Sequence, residues 1–471
     1  MATTCPNANG DVLASLRQIL GDAGLIAGDE AMSPYCTDWR REFGAPALAV
    51  ARPRTVEQVS AVVRLCGGRG IAIVPQGGNT SLAGGAVPIA GRAQIVLSLS
   101  RMNAIRCVDP VGMTMTVEAG AVLENVQAAA REHNLLFPVS FAAQGSSQIG
   151  GVVSTNAGGI NVLRYGMARQ RVLGLEAVLA DGSIVDGLRR LHKDNAGYDW
   201  KQLLIGAEGT LGIVTAASLR LASRPRHKVT AFLAVPDPAA ALALLGRATA
   251  ELGDAIAAFE LVSPTALDLV RQHFGLKPPM ELPSWAVLIE AAASLSGLRD
   301  AMEAALAAAL EAGDASDGVI AETEAQSVAL WALREHVSEA ELKSGRSVKH
   351  DVSVPVDRIP GFIRDATDVL HQDFDGLRLV VFGHVGDGNV HFNVLGAAVE
   401  AKAAINRAVH DVVAAHDGSV SAEHGIGSYR VAELARYKQP VQLKLMQTIK
   451  QALDPHGILN PGKVLGASRT D

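Results

Sequence analysis

The sequence predicts an α+β protein built from two larger domains and a short helical C-terminal segment. Three observations lead there. Glycine-dense turns follow strand-like runs through the first half of the chain, at residues 75–85, 145–159 and 206–212. Beyond residue 223, apolar strand-like runs such as VTAFLAV, AIAAFELV and WAVLIEAAA alternate with Ala-rich helical stretches. Further on stands GHVGDGNVHFNV, residues 383–394, an apolar run interrupted by residues that accept a tight turn.

Composition narrows the functional classes. A chain of 471 residues is long enough for two or three domains with sizeable cores, and 48% hydrophobic with 19% charged residues excludes a disordered chain. The net charge of -6, with no Lys/Arg stripe interleaved with aromatics, argues against nucleic acid as a partner. The N-terminal MATTCPNANGDVLASL lacks a basic region followed by an apolar core, and no stretch approaches the roughly 18 apolar residues of a membrane span. A soluble, cytoplasmic protein is expected. Cys5, Cys36, Cys66 and Cys107 all fall in the first quarter of the chain without metal or redox spacing, so reduced thiols are expected.

Taken in order, residues 1–46 read as a helical lead. LAVARP, a helix with Thr55 as N-cap and Gln58 three residues on, and IAIVP from Ile71 form a βαβ-like unit. PQGGNTSLAGG follows, a loop whose bare backbone amides can wrap a pyrophosphate. It is not G-x-G-x-x-G, and no helix starts where a dinucleotide fold requires one. GSSQIGGVVSTNAGG is a second such loop, and two together can hold one long cofactor. LEAVLADGSIVDG reads as a hairpin turning at Asp181-Gly182 in a two-residue type I′ turn, and GAEGTLGIVTAASLRL as a glycine-rich turn feeding a strand. The charged SRPRHK at 223–228 marks a boundary, giving domains 1–222, 223–416 and 417–471. The second domain reads as a split βαβ sheet with helices on one face. The third packs back on the larger domains, since alone it buries too little apolar surface.

The hairpin at 383–394 carries chemistry. If Val385 opens a four-residue turn and Val390 closes it, antiparallel pairing sets His384 directly opposite His391, with Cβ atoms roughly 4.5–5.5 Å apart. Alternation puts Phe382 and Asn393 on the same face. Two neutral imidazoles can chelate a divalent ion, and SAEHGIG offers Glu423 as a third ligand beside two glycines. The alternative is a cross-strand histidine pair on a half-exposed sheet with Glu423 an ordinary loop acid.

PQGGNTSLAGG, IGGVVSTNAGG with RYG, GAEGTLGIVT, GHVGDGNVH, SAEHGIG and ILNPGK, in that order over nearly the whole chain, resemble the flavoprotein family typified by vanillyl-alcohol oxidase and p-cresol methylhydroxylase. Within it, the chain resembles the D-2-hydroxy-acid dehydrogenases. The resemblance implies an FAD-binding domain of the vanillyl-alcohol oxidase type, a substrate-binding cap domain with an antiparallel sheet, and a small helical C-terminal segment completing the active site. Pro75, Gln76, Gly77, Gly78, Asn79, Thr80 and Ser81 are expected around the flavin with Gly145, Ser146, Ile149, Gly150, Gly151, Thr155, Asn156, Gly158, Gly159 and Tyr165. Glu208, Gly212 and Ile213 are expected near the adenine and ribose, and Asn460 joins the cofactor set. Relatives with covalent flavin carry His or Cys in these loops; here the first reads Gly77-Gly78-Asn79-Thr80, which implies non-covalent FAD.

The same resemblance carries His384, His391 and Glu423 over as ligands of a divalent metal, zinc being expected and manganese the alternative. It makes His424 the base that takes the substrate hydroxyl proton. Arg334 and Ser338, four apart on one helix, and Lys349 on the next strand match an arginine, a threonine and a lysine around the substrate in the family, with Asn393 beside them. Without the family, Arg334 reads as an exposed arginine paired with Glu335 or Glu339. The expected reaction is oxidation of D-2-hydroxyglutarate to 2-oxoglutarate, with D-lactate or glycolate as rival substrates. Lys349 points to the dicarboxylate, because beside lactate a buried ammonium is left unpaired. An electron acceptor such as an electron-transfer flavoprotein or a quinone-linked carrier is implied, and a homodimer is compatible with it. From the residues alone, a metal-dependent hydrolase or a non-catalytic flavin-binding protein stays open.

Overall fold

The structure, a computed structural model, describes residues 7–466, with side chains from residue 11 onward. Cys5 lies outside the described residues. The chain divides into two compact units: residues 1–158, 167–223 and 424–471 form the first, and 159–166 with 224–423 form the second. Residues 417–423 thus lie in the second unit and 424–471 in the first.

In the first unit, strands Val50–Ala51 and Ala72–Gln76 both run parallel to Gln94–Ser98, which lies between them. The intervening helix Val56–Gly68 begins as the sequence indicates: Thr55 Oγ1 accepts from the Gln58 amide at 3.3 Å. It buries Val59, Val62, Val63 and Cys66 in a core shared with Ile73, Ile95 and Leu97. The C-terminal chain returns here, with Ile73 N–H donating to Ile458 O and Asn460 N–H donating to Ile73 O. A second sheet is antiparallel and five-stranded, with Thr114–Glu118, Ile213–Arg220 and Val172–Val178 at its centre.

The hairpin of Val172–Val178 and Ile184–Gly187 forms, but not with a two-residue type I′ turn. Val178 pairs with Ile184, and Gly182 N–H donates to Leu179 O, so the turn runs from Leu179 to Gly182 with Ala180 and Asp181 at its centre. Only Gly182 takes positive φ, +81°, as in a type I turn followed by a bulge. Asp181 prefers this geometry because its carboxylate accepts from the Ser183 amide at 2.8 Å.

The second unit is organised by an eight-stranded, wholly antiparallel sheet. Its order is Asp317–Ile320, His227–Val235, Trp285–Ala293, Ile256–Val262, Arg378–Gly383, Asn389–Leu395 and Ser347–Val348, with Asp351–Ser353 also pairing Asn389–Leu395. Helices cover both faces rather than the expected one. Helices Pro238–Leu252, Leu298–Ala312, Ile359–Asp373 and Lys402–Ala415 pack with Val287, Ile289 and Phe259. Pro264–Phe274, Glu324–Glu335 and Val337–Ser344 pack on the opposite side with Leu288, Ala258 and Val262. The physical reason is in the strands: runs such as WAVLIEAAA are apolar at successive positions, so both faces need covering.

Candidate active site

The histidine hairpin differs from the expected register by two residues, which keeps the same face of the strands. Strands Arg378–Gly383 and Asn389–Leu395 pair Val380 with Asn393 and Phe382 with His391, so Phe382 rather than His384 faces His391. His384 stands past the strand end, at the start of the connecting loop. Gly388 accounts for the shape of that loop: at φ +91° it lies where a Cβ would meet Val354 O at 2.4 Å, a place only glycine fits. The imidazoles still approach each other, with ring centroids 5.8 Å apart and planes at 77°.

Glu423 is brought to them along the sheet edge. Ser419 bridges to Ser353, Ala422 N–H donates to Asp351 O, and Glu423 N–H donates to Asp351 Oδ2 at 3.0 Å. One ligating atom each from His384, His391 and Glu423 then fall within 4.8 Å of one another. Two imidazoles and a carboxylate at this spacing suit a divalent ion with positions left open.

The surroundings of these ligands add to the fit. His384 Nδ1 lies 2.5 Å from Glu260 Oε1, which leaves Nε2 for an ion. His391 Nδ1 is 3.7 Å from Asp351 Oδ1, and Asp351 is itself held by Asn389 Nδ2 at 2.9 Å. Burial opposes charge on both members of the Glu260–His384 pair, but their mutual attraction wins. Desolvation raises the Glu260 carboxyl, and the charges of His384 and Arg334 more than reverse this, holding it well below the usual carboxylate range. Desolvation likewise lowers His384, while Glu260 lifts it to about 9.

Arg334 is not the exposed arginine paired with neighbouring glutamates. It is 9% exposed, donates from Nε to Glu260 Oε2 at 2.8 Å, and its guanidinium lies 4.6 Å from the Phe382 ring centroid. Both terminal nitrogens remain for an anion. Arg334 and Ser338 do not share one helix: Glu324–Glu335 ends at His336 and Val337–Ser344 begins anew, and Ser338 is exposed. Helical spacing across 334–338 made the break invisible, since no Gly or Pro marks it.

Lys349 also differs from expectation. Its ammonium has a partner in the chain itself, Glu341 Oε2 at 3.3 Å, so no dicarboxylate is needed to avoid a bare buried charge. Glu341 is fully buried, and the same oxygen accepts from Asn393 Nδ2 at 2.8 Å; Asn393 Oδ1 in turn accepts from the His350 amide. Glu260, Glu341 and Asp351 were missed as site residues. In SEAEL the acid Glu341 carries no local mark, whereas the isolated charge of Glu260 in the apolar strand AAFELV was the one available signal.

In the first unit the glycine-rich loops meet. A Cβ on Gly78 would lie 2.0 Å from Ser146 O, and Thr80 Oγ1 and Ser147 Oγ are 3.0 Å apart. The side chains expected to touch cofactor mostly tie loops together. Gln76 Nε2 donates to Tyr35 O and Ala86 O, Asn79 Nδ2 to Thr37 O, and Asn460 Nδ2 to Gly85 O and Glu208 O. Glu208 accepts from the amides of Ile426 and Gly427, each at 2.8 Å. Ser81 Oγ accepts from the Ala83 amide, and Thr155 Oγ1 donates to Gly151 O. Ile149, Gly150 and Gly151 open the short helix Ile149–Ser154, and Ile213 is a core residue 1% exposed beside Gly212. Asn156 Oδ1 accepts from the Arg169 amide.

The backbone remains. Among the described residues, the amides of Gly77, Gly78, Asn79 and Thr80 donate to no protein acceptor. Four successive N–H groups of this kind fit a pyrophosphate. Gly158 ends a stretch of the first unit, while Gly159 and Tyr165 belong to the second, where Gly159 N–H donates to Glu423 Oε1 at 2.9 Å. His424 directly follows Glu423 in the chain.

Comparison with known proteins decides the family. Residues 47–187 match the model for an FAD binding domain, and residues 224–464 that for the C-terminal domain of FAD linked oxidases. The chain is 40% identical over 459 residues to the mitochondrial D-2-hydroxyglutarate dehydrogenase of Bos taurus, covering 97% of this chain and 83% of that protein. The chain belongs to the D-2-hydroxyglutarate dehydrogenase family of FAD linked oxidases. Identity to the D-2-hydroxyglutarate dehydrogenase of Xanthomonas citri pv. viticola is 39%, over 96% of both chains. Among solved structures, p-cresol methylhydroxylase with substrate bound is similar with a TM-score of 0.78 at 18% identity, covering 100% of this chain and 99% of that one. An alkyldihydroxyacetonephosphate synthase is similar at 0.75 and 16%, covering 98% and 86%. These two likenesses establish the vanillyl-alcohol oxidase type of fold.

Proposed function

We propose that the chain oxidises D-2-hydroxyglutarate to 2-oxoglutarate with non-covalent FAD and one divalent metal ion, zinc or manganese. The convergence of His384, His391 and Glu423 carries the metal part of this reading, and identity near 40% over most of the chain supports the substrate. Bound FAD supplies a two-electron acceptor for the C2 hydride. A bound divalent ion supplies a Lewis acid that lowers the pKa of the substrate hydroxyl.

The residues do the rest. The Gly77–Thr80 amides, with no protein acceptor, hold the pyrophosphate. Arg334, anchored through Nε, offers its terminal nitrogens to a substrate carboxylate. Lys349 and Asn393, gathered by Glu341, receive the distal carboxylate, and Ser338 supports them least because it is exposed. His424 takes the hydroxyl proton on an imidazole nitrogen as the hydride leaves C2. The electrons then pass to an acceptor such as an electron-transfer flavoprotein or a quinone-linked carrier.

D-Lactate stays the rival substrate on one observation: Lys349 is paired with Glu341 and tolerates a neutral substrate group. Anaerobic mixing of the flavin-loaded protein with D- and L-2-hydroxyglutarate, D-lactate and glycolate separates them. Fastest bleaching of the oxidised flavin by D-2-hydroxyglutarate is expected; fastest bleaching by lactate overturns the substrate, and none by any acid overturns the reaction.

A further inference from the structure

One carboxylate joins the metal-ligand histidine to the anion-binding arginine. Glu260 lies in the strand Ile256–Val262 with 0% of its surface exposed. Alternation directs it to the same face as Ala258 and Val262, against which the helix Glu324–Glu335 packs, and that helix delivers Arg334. Oε2 accepts from Arg334 Nε at 2.8 Å and Oε1 faces His384 Nδ1. Its two oxygens are thus divided between two side chains that come from different elements and serve different ends.

We propose that Glu260 is a positioning residue that fixes His384 for metal binding and Arg334 for substrate binding at once. The inference rests on the metal and substrate roles proposed above. A carboxylate in this place fixes which imidazole nitrogen faces the ion, because the proton between Glu260 and His384 belongs on Nδ1. It also spends only the Nε–H of Arg334, so the two terminal nitrogens point away as a fork that matches a carboxylate. An isosteric amide cannot do both. Glutamine has one acceptor oxygen, and its NH2 group must then face either the arginine N–H or the imidazole N–H, a donor against a donor. Nor does the strand require an acid for packing: its neighbours on that face are apolar, and an acid buried among them without partners is costly.

A purely structural ion pair predicts something different from a positioning residue. It lowers the melting temperature when broken, in metal-free and metal-loaded protein alike, and leaves the affinity for the ion unchanged. The test uses the full-length, flavin-loaded protein freed of metal by a chelator and titrated with Zn2+ alone by calorimetry. Wild type is expected to take one Zn2+ per chain. Glu260→Gln is expected to bind it about 10- to 100-fold more weakly, with the flavin spectrum unchanged. The same variant is expected to raise KM for the hydroxy acid at saturating Zn2+. Wild type that takes up no Zn2+ overturns the metal reading itself. Wild type that binds and Glu260→Gln that binds equally well, within threefold, overturns the role of Glu260. Should Glu260→Gln not fold, Glu260→Asp keeps the charge but withdraws it by one methylene, so it reaches only one of the two partners. The same loss of Zn2+ affinity is expected for it, and unaltered affinity overturns the proposal.

Discussion

Lys349 Nζ lies 3.3 Å from Oε2 of the fully buried Glu341, so the lysine has a partner within the chain itself. On the proposed substrate role, the lysine is free to contribute to a second anion without requiring one. Lys349→Ala is expected to lower kcat/KM for D-2-hydroxyglutarate roughly 10- to 100-fold, the cost of about one charge-assisted hydrogen bond, and to change D-lactate turnover much less. Steady-state kinetics on both acids check it; an equal loss on both contradicts a distal-carboxylate role.

His391→Ala should remove the metal and spare the flavin. Its ring is one of the three groups proposed to hold the ion, all in the second unit, whereas the amides of Gly77–Thr80 belong to the first. Metal analysis is expected to fall from one ion per chain to near zero, with an unaltered flavin-to-protein ratio. Retention of the metal contradicts the ligand set.

Glu208 makes stability fall as pH rises through its carboxyl titration. Burial pushes its carboxyl above the ordinary range, against the opposing pull of the Ile426 and Gly427 amides and of Lys463. A raised folded-state pKa means that the folded protein holds the proton longer than the unfolded chain. The contribution of Glu208 therefore favours folding below the ordinary carboxylate pKa of about 4.3 and is lost as pH rises through the higher folded value. Urea unfolding across this window should show a steeper loss of stability with rising pH in wild type than in Glu208→Gln. Parallel profiles contradict it.

The thiols should sort by burial. Cys66 is fully buried and its thiol is pushed up to about 12 by desolvation; burial also raises Cys36, while Cys107 is exposed. Since the thiolate is the nucleophile, native protein treated with iodoacetamide near neutral pH should be alkylated at Cys107, with Cys36 and Cys66 reacting only after denaturation. Peptide mass mapping reads this directly, and native labelling of Cys66 contradicts its place in the core.

What could be read from the sequence was what local chemistry specifies. The Thr55 cap, the glycine loops, the histidine hairpin and the strand–helix alternation each declare themselves within a dozen residues. The exact pairing of His384 did not, because Gly383 to Gly388 allow more than one loop length, and a shift of two residues keeps the face but leaves His384 beyond the strand end. Glu260 meets partners 74 and 124 residues away, and Glu341 meets Asn393 at a separation of 52, so neither left any periodic or spacing signal. The glycine loops were legible as a place but not in their division of labour. Gln76, Asn79, Glu208 and Asn460 bind other loops, while among the described residues the Gly77–Thr80 amides donate to no protein acceptor.

Anaerobic flavin reduction by D-2-hydroxyglutarate tests most directly whether metal-assisted oxidation of a D-2-hydroxy acid occurs at His384, His391 and Glu423. The single-turnover rate is measured on protein as purified, after chelation, and after Zn2+ or Mn2+ is returned. Rapid bleaching is expected, with its loss by roughly 100-fold or more on chelation and its recovery with the ion while the flavin stays bound throughout. Undiminished bleaching in protein shown to be metal-free would contradict it.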